Sequence, residues 1–461
     1  MRSKKGPILL ISLVALVLIL AVPALGAGNQ PVPEQPDTVI FPEGVDPFVE
    51  RQAKVRRAYQ GENVFDAYGW VGANVGDLNG DGPNEYIITA PFYQAFDTQE
   101  GRAYVYSGRT GLPIAVHTGN PGERLGFSAA AAGDVNGDGV LDYVLGAPSL
   151  FDPDAHGRAI VYSGADHSVI HEWTGEPAAF FGSAVNAAGD VNGDGYDDVV
   201  VGAEFAGSTP GASFPDGAGR ITVFSGADGS VLWSRDGLQD GDWLGSGAGH
   251  VADANGDGVP DVIAAARAAD SFNGRAYVYS GVDGSIIHTL APTAPLSNSG
   301  TFGRFFARGA GDVDADGTED VFIGDYRALN GDGRAYVYSG ADGSVIHVFD
   351  AEASGDSIGP GRGIPDVNRD GHADVIVAGW RSSAGATEGG KVWVRSGADG
   401  SILHTATGEI EGDQLGVDAL YLGDISGDGR PEYLLTAVGL DFAGEDVGHA
   451  YVTTFKTAPP R

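Results

Sequence analysis

GDVNGDGVLDYVLGAP, from Gly133 to Pro148, places an oxygen-bearing side chain at every second position and then turns abruptly apolar. Its acidic half returns six more times. DLNGDGPNE begins at Asp77, DVNGDGYDD at Asp190, DANGDGVPD at Asp253, DVDADGTED at Asp312, DVNRDGHAD at Asp366 and DISGDGRPE at Asp424. Successive starts lie 57, 56, 63, 59, 54 and 58 residues apart. Self-similarity at a nearly constant period marks a repeat architecture, in which each unit buries its apolar faces against its neighbours.

Each unit carries a second signature. GRAYVYSGRTG from Gly101 is echoed by segments beginning at Gly157, Gly219, Gly274, Gly333 and Gly390, with a shortened GHAYVTTF from Gly448. Alternation such as Ala103-Tyr104-Val105-Tyr106 predicts a strand, the ADGS that follows in most copies predicts a tight turn, and VIHEW or VIHVF predicts the next strand. In the second unit the strands read as Leu125 to Gly133, Tyr143 to Pro148, the GRAIVYSG segment and SVIHEW. No segment holds a helical period, and the glycine density opposes helix. Four short strands in about 58 residues match one propeller blade. The expected fold is all-β: a seven-bladed β-propeller of four-stranded antiparallel blades over residues 51–456. The seventh unit stops at Phe455 and lacks a fourth strand, whereas KVRRAYQG, Lys54 to Gly61, is surplus at the other end. Val55 to Tyr59 is therefore expected to pair with the last blade and close the ring.

The acidic loops offer oxygens at positions one, three, five and nine. Position one is Asp77, Asp134, Asp190, Asp253, Asp312, Asp366 and Asp424; position three is Asn79, Asn136, Asn192, Asn255, Asp314, Asn368 and Ser426. Position five is Asp81, Asp138, Asp194, Asp257, Asp316, Asp370 and Asp428; position nine is Glu85, Asp142, Asp198, Asp261, Asp320, Asp374 and Glu432. Calcium takes ~6–8 hard oxygen ligands in a flexible cage, whereas magnesium keeps more of its water, so calcium is the expected ion at up to seven sites. Glycine at position six permits the sharp turn. An EF-hand would need a bidentate Glu at position twelve between helices; here that position is Ile88, Leu145, Val201, Ala264, Ile323, Val377 and Leu435, each apolar and inside an expected strand. Ser426 makes the seventh loop the weaker binder. The alternative for a single such loop is a solvated turn, because Asp, Asn and Gly favour turns.

The combined unit resembles the FG-GAP repeat of the integrin alpha-chain propeller. The resemblance rests on Phe181-Gly182, Phe302-Gly303 and the variants Leu125-Gly126, Leu244-Gly245 and Leu415-Gly416, with Gly146-Ala147-Pro148 as the GAP element. Ala90-Pro91 and Gly202-Ala203 are partial forms of it. It runs from Val55 to Phe455 and implies a seven-bladed ring with calcium between the first two strands of each blade. Integrin propellers carry calcium in only some blades; all seven loops here keep the ligands.

A formal charge of −35 argues against nucleic acid and against an anionic membrane surface as partners, and it favours cations. Without cysteine there is no disulfide, zinc thiolate or cysteine nucleophile. Arg2, Lys4 and Lys5, the apolar run Ile8 to Leu25 and the small residues to Ala27 read as a signal peptide over 1–27, with an uncleaved anchor as the alternative. A proline-rich linker over 28–50 and a tail over 457–461 flank the ring. The expected setting is secreted, surface or periplasmic, and the expected state is a monomer.

Loops between second and third strands vary most and face away from the acidic loops. Phe92, Phe96, Phe272, Tyr326, Trp380 and Phe442 lie there, as anchors for an extracellular protein or glycan or as local packing. His171, His288, His347 and His404 recur once per blade in the fourth strand and read as surface residues, too far apart for one metal. The expected function is a calcium-braced interaction or adhesion module without catalysis. The alternatives are a propeller-based polysaccharide lyase or hydrolase using unrepeated residues such as Arg267, Arg308, Asp325 and Arg381, or a structural envelope or matrix component.

Overall fold

The computed structural model describes residues 47–94, 98–149, 155–209, 215–296, 298–439 and 447–456. The 1–27 segment, most of 28–50, the 457–461 tail, Phe96 and Phe442 lie outside them. The described strands form seven four-stranded antiparallel sheets. Blade one is Gly72–Gly76, Glu85–Ala90, Arg102–Tyr106 and Pro113–Thr118; blade two is Ser128–Gly133, Asp142–Ala147, His156–Tyr162 and Val169–Pro177. Blade three is Phe181–Gly189, Asp198–Ala203, Arg220–Phe224 and Val231–Asp236; blade four is Leu244–Val251, Asp261–Ala266, Arg275–Tyr279 and Ile286–Leu290. Blade five is Ala307–Gly311, Asp320–Asp325, Arg334–Tyr338 and Val345–Asp350; blade six is Ile358–Ile364, Asp374–Gly379, Lys391–Arg395 and Ile402–Thr407. Blade seven takes Leu415–Gly423, Glu432–Ala437 and His449–Phe455, and its fourth strand is Ala53–Gln60 from the other end of the domain.

The composition of each strand explains its place. First strands are rich in small residues, as in SAAAAG and LGSGAGHV, so seven of them converge on one axis. They pack against one another all the way round, blade seven against blade one included. Second strands such as DYVLGA and DVVVGA are buried at every residue, because blades cover both faces; hence their unbroken apolar runs. Fourth strands alternate between partly buried and exposed residues. Seven apolar clusters result, each joining two adjacent blades.

The closing strand pairs antiparallel with His449–Phe455, with Ala53 opposite Phe455 and Ala58 opposite Tyr451. Its side chains also reach the next blade: Arg57 Nη1 donates to the Gly108 carbonyl at 2.7 Å, and Tyr59 Oη lies 2.6 Å from Tyr86 Oη.

Two details differ from the reading of the sequence. The first strand of blade two begins at Ser128, not Leu125. Gly126 has φ +87°, which turns the chain so that Leu125 bridges to Gly101 of the preceding blade. The fourth-strand histidines are not plain surface residues. His288 Nε2 lies 2.8 Å from the Gly340 carbonyl, and His171 and His347 make the same contact with Gly226 and Gly397, in each case across to the next blade. Trp233 Nε1 plays that part for Gly281 at 2.7 Å. His404 instead stacks on Phe455, centroids 4.7 Å apart.

Candidate functional site

Each acidic loop links a first to a second strand and is built by its own side chains. In all seven, the position-one carboxylate accepts the backbone N–H groups of positions five and six at 2.7 to 3.1 Å. The position-three oxygen of the first six loops accepts the position-five N–H as well, as Asn136 does from Asp138 at 2.9 Å. The loop curls around its own oxygens. Position six needs a left-handed backbone, which Gly139 supplies at φ +86°. The position-twelve residues of the excluded EF-hand pattern are buried in second strands.

Position nine does a different job. All seven of these carboxylates are fully buried. Asp142 Oδ2 accepts the Val135 N–H at 2.8 Å and Oδ1 accepts the Gly164 N–H at 2.9 Å, so one side chain ties the loop to the turn between the third and fourth strands. Asp198, Asp261, Asp320 and Asp374 repeat this with Gly226, Gly281, Gly340 and Gly397. These four glycines are the ones whose carbonyls receive His171, Trp233, His288 and His347 from the preceding blade. Loop, turn and blade joint therefore form one connected unit. Burial pushes Asp142, Asp198 and Asp261 up to about 6 and Asp320 up to about 7, against the lowering effect of the backbone N–H donors. Within the blade, nearby loop carboxylates add to the rise.

A β-carbon on Gly340 would run into the carbonyl oxygen of Glu319, the residue just before the same blade's second strand. Gly340→Ala is expected to cost more than about 2 kcal/mol, read from denaturant midpoints, because backbone must move at the joint.

The donor set fits a hard divalent cation. In the fifth loop, ligand oxygens of Asp312, Asp314 and Asp320 lie within 4.8 Å of one another. In the first loop Asp81 Oδ1 is buried without a hydrogen-bond partner among the described residues. The end loops differ from the rest. Arg109 Nε stands 3.2 Å from Asp81 Oδ2, and Arg56 of the closing strand pairs with Asp428 and lies 3.6 Å from Glu432 Oε1.

On the opposite face, rings from three blades meet over the axis. Trp70, Phe127 and Phe305 have centroids 5.7 to 5.9 Å apart. They border a cavity of about 250 Å³ that runs down the axis, with Tyr326 and Trp380 also in its wall. Phe92 packs on Trp70, and the exposed Phe272 packs on Trp243. The unrepeated polar residues have partners of their own, and two of them, Arg267 and Asp325, both bond the 299–301 segment. Arg267 pairs with Glu204 at 2.7 Å, Asp325 accepts the Ser299 and Thr301 hydroxyls at 2.6 Å, Arg381 pairs with Glu388, and Arg308 alone enters the axial cavity. Sequence reading did not single out Trp70, Phe127 or Phe305. Their shared signal was position: each stands just before a first strand, beside an FG-type pair. Tyr68-Gly69, with Gly69 at φ +89°, is such a pair that went unrecognised.

Residues 181–224 match the family model described as an FG-GAP repeat, and residues 366–435 match one described as an FG-GAP-like repeat. With seven four-stranded blades closed into a ring, the chain is a β-propeller that carries an FG-GAP repeat in blade three and an FG-GAP-like repeat reaching from blade six into blade seven. Among its relatives are integrin alpha chains. Integrin alpha-E of Mus musculus is 32% identical over 173 residues, 33% of this chain and 15% of that protein. Integrin alpha-5 of Xenopus laevis is 27% identical over 271 residues, 53% of this chain and 24% of that protein. The matched stretches thus span less than a quarter of either relative. Among solved structures, Saccharomyces cerevisiae Sqt1 aligns over 82% of both chains at 11% identity with a TM-score of 0.48.

Proposed function

We propose that the protein is an extracellular, calcium-braced interaction module whose binding face is the one opposite the acidic loops. The observation that carries the calcium reading is the buried carboxylate at position nine of every loop, wired to a blade joint in loops three to six and set beside two further carboxylates in the fifth. The candidate ligands are the position one, three, five and nine side chains of each loop. Loops two to six are the best placed, because the arginines at loops one and seven already offset part of the charge a divalent ion would answer. When bound, calcium supplies charge neutralisation and cross-bridging of the loop; it is structural and takes no part in turnover. Kinship with integrin alpha chains and the variable loops support a protein or glycan ligand.

The test is an array of extracellular proteins and glycans probed with and without calcium. Selective, calcium-dependent retention is the expected result, and it is expected to weaken when Trp380→Ala alters the cavity wall. Turnover of an arrayed polysaccharide would replace this reading with the enzymatic one.

A further inference from the structure

The axial cavity has a chemical character that neither the calcium loops nor the repeat explains. Its upper wall is apolar, formed by Trp70, Phe127 and Phe305, and its charged lining residues are Arg308 and Asp418. Asp418 is already committed. It pairs with Arg362 and accepts the backbone N–H groups of Gly72 at 3.1 Å and Ala419 at 2.8 Å. Among the described residues Arg308 is only partly satisfied: one Nη donates to the Phe305 carbonyl at 2.9 Å, while Nε is sealed from solvent without a hydrogen-bond partner. Asp418 is thus taken up by Arg362, and among the described residues no carboxylate forms a salt bridge with Arg308, in a protein of net charge −35. Enclosure and the Arg362 charge pull Arg308 down to about 9, with Asp418 opposing. A half-buried cation left short of anionic partners is unfavourable, and a planar guanidinium is matched in geometry to a carboxylate.

We propose that the axial cavity binds a single carboxylate carried on an apolar or aromatic body the size of one amino-acid residue, with the carboxylate on Arg308 and the body against the Trp70, Phe127 and Phe305 rings. The size follows from the cavity, about 250 Å³, which is below the range of drug-sized sites. The sign of charge follows from the excess guanidinium. The apolar body follows from three rings that meet at the axis, where aromatic surface is worth most when desolvated. The carboxylate has two sources with the same chemistry, a free aromatic acid or the C-terminal residue of a peptide. The inference rests on the reading of this face as the binding face, and it names the chemistry recognised there.

Calcium-loaded full-length protein is titrated with N-acetylphenylalanine, its neutral amide and phenethylamine, followed by calorimetry and tryptophan fluorescence. The acid is expected to bind at least about ten-fold more tightly than the amide, because only it completes a charge-assisted pair. Arg308→Gln is expected to abolish that preference, and Arg308→Lys to keep part of it. The melting temperature of Arg308→Gln should equal or exceed that of the parent, since an under-paired buried charge is removed; this separates lost recognition from lost fold. A peptide ending in a free phenylalanine carboxylate, compared with its amidated form, distinguishes the sources: binding of the free-ended peptide points to a protein terminus, and binding of the small acid alone points to a metabolite. Equal binding of acid and amide, preference for the amine, or no binding of any probe overturns the proposal. None of those failures bears on calcium-dependent retention of a larger ligand, so the two readings fall separately.

Discussion

Protein stripped of divalent cations by a chelator is expected to melt far below the calcium-loaded protein, and added calcium is expected to restore the transition. An ion that binds only the folded state contributes about 2.7 kcal/mol per site at a hundred-fold excess over Kd. The loops sit at successive blade joints, so their contributions fall on one cooperative ring, and several filled sites amount to a shift on the order of 10 °C or more. Asp316→Asn checks the assignment at a single loop. It keeps an acceptor for the Thr318 N–H, which Asp316 Oδ1 accepts at 2.8 Å, while removing one carboxylate of the most acidic loop. Its melting temperature should fall clearly in calcium and much less in chelator, because the loss is mainly that of the ion. A chelator that leaves the transition unmoved would defeat the structural role of calcium. A variant equally impaired in both conditions would show that the side chain serves as a turn clamp only.

Deletion of Ala53–Gln60 is expected to do comparable or greater harm. That strand is the outer edge of blade seven, paired along His449–Phe455, and it also carries Arg57 to Gly108 and Tyr59 to Tyr86 of blade one. Without it the seventh blade has three strands with an open edge, and the seam between the two ends of the ring loses buried aromatic surface. The expected result is a loss on the order of 10 °C in melting temperature, or recovery only as aggregate. Tyr59→Ala is the milder form. Tyr59 is buried, its ring tilted against Tyr106 with centroids 4.6 Å apart, and its removal should cost roughly 3–5 kcal/mol. An unchanged melt after the deletion would show that the ring does not depend on this clasp.

Much of the fold was legible because a propeller is local physics repeated. The acidic loop, the unbroken apolar second strand and the S-G turn recur within about 58 residues, so counting copies counted blades. Even the closure was legible, since a missing strand at Phe455 and a spare one at Lys54 are complementary. What stayed hidden was the work each conserved letter of the unit does. The serine-glycine turn read as a hairpin; only packing shows Gly340 pressed against the Glu319 carbonyl, donating to Asp320 and receiving His288 from the blade before. Likewise the fourth-strand histidines read as surface because strand alternation says which way a side chain points but not what the next blade places there.

By itself the sequence determined the number of blades, the order of strands, the place of the acidic loops and the two ends that must meet, because each of these depends on neighbours in the chain. The axial cavity was decided by the tertiary structure alone. Trp70, Phe127 and Phe305 come from blades one, two and five, and Arg308, Arg362 and Asp418 from blades five, six and seven. No spacing records their meeting, because it is the closing of a ring that carries residues hundreds of positions apart to one axis.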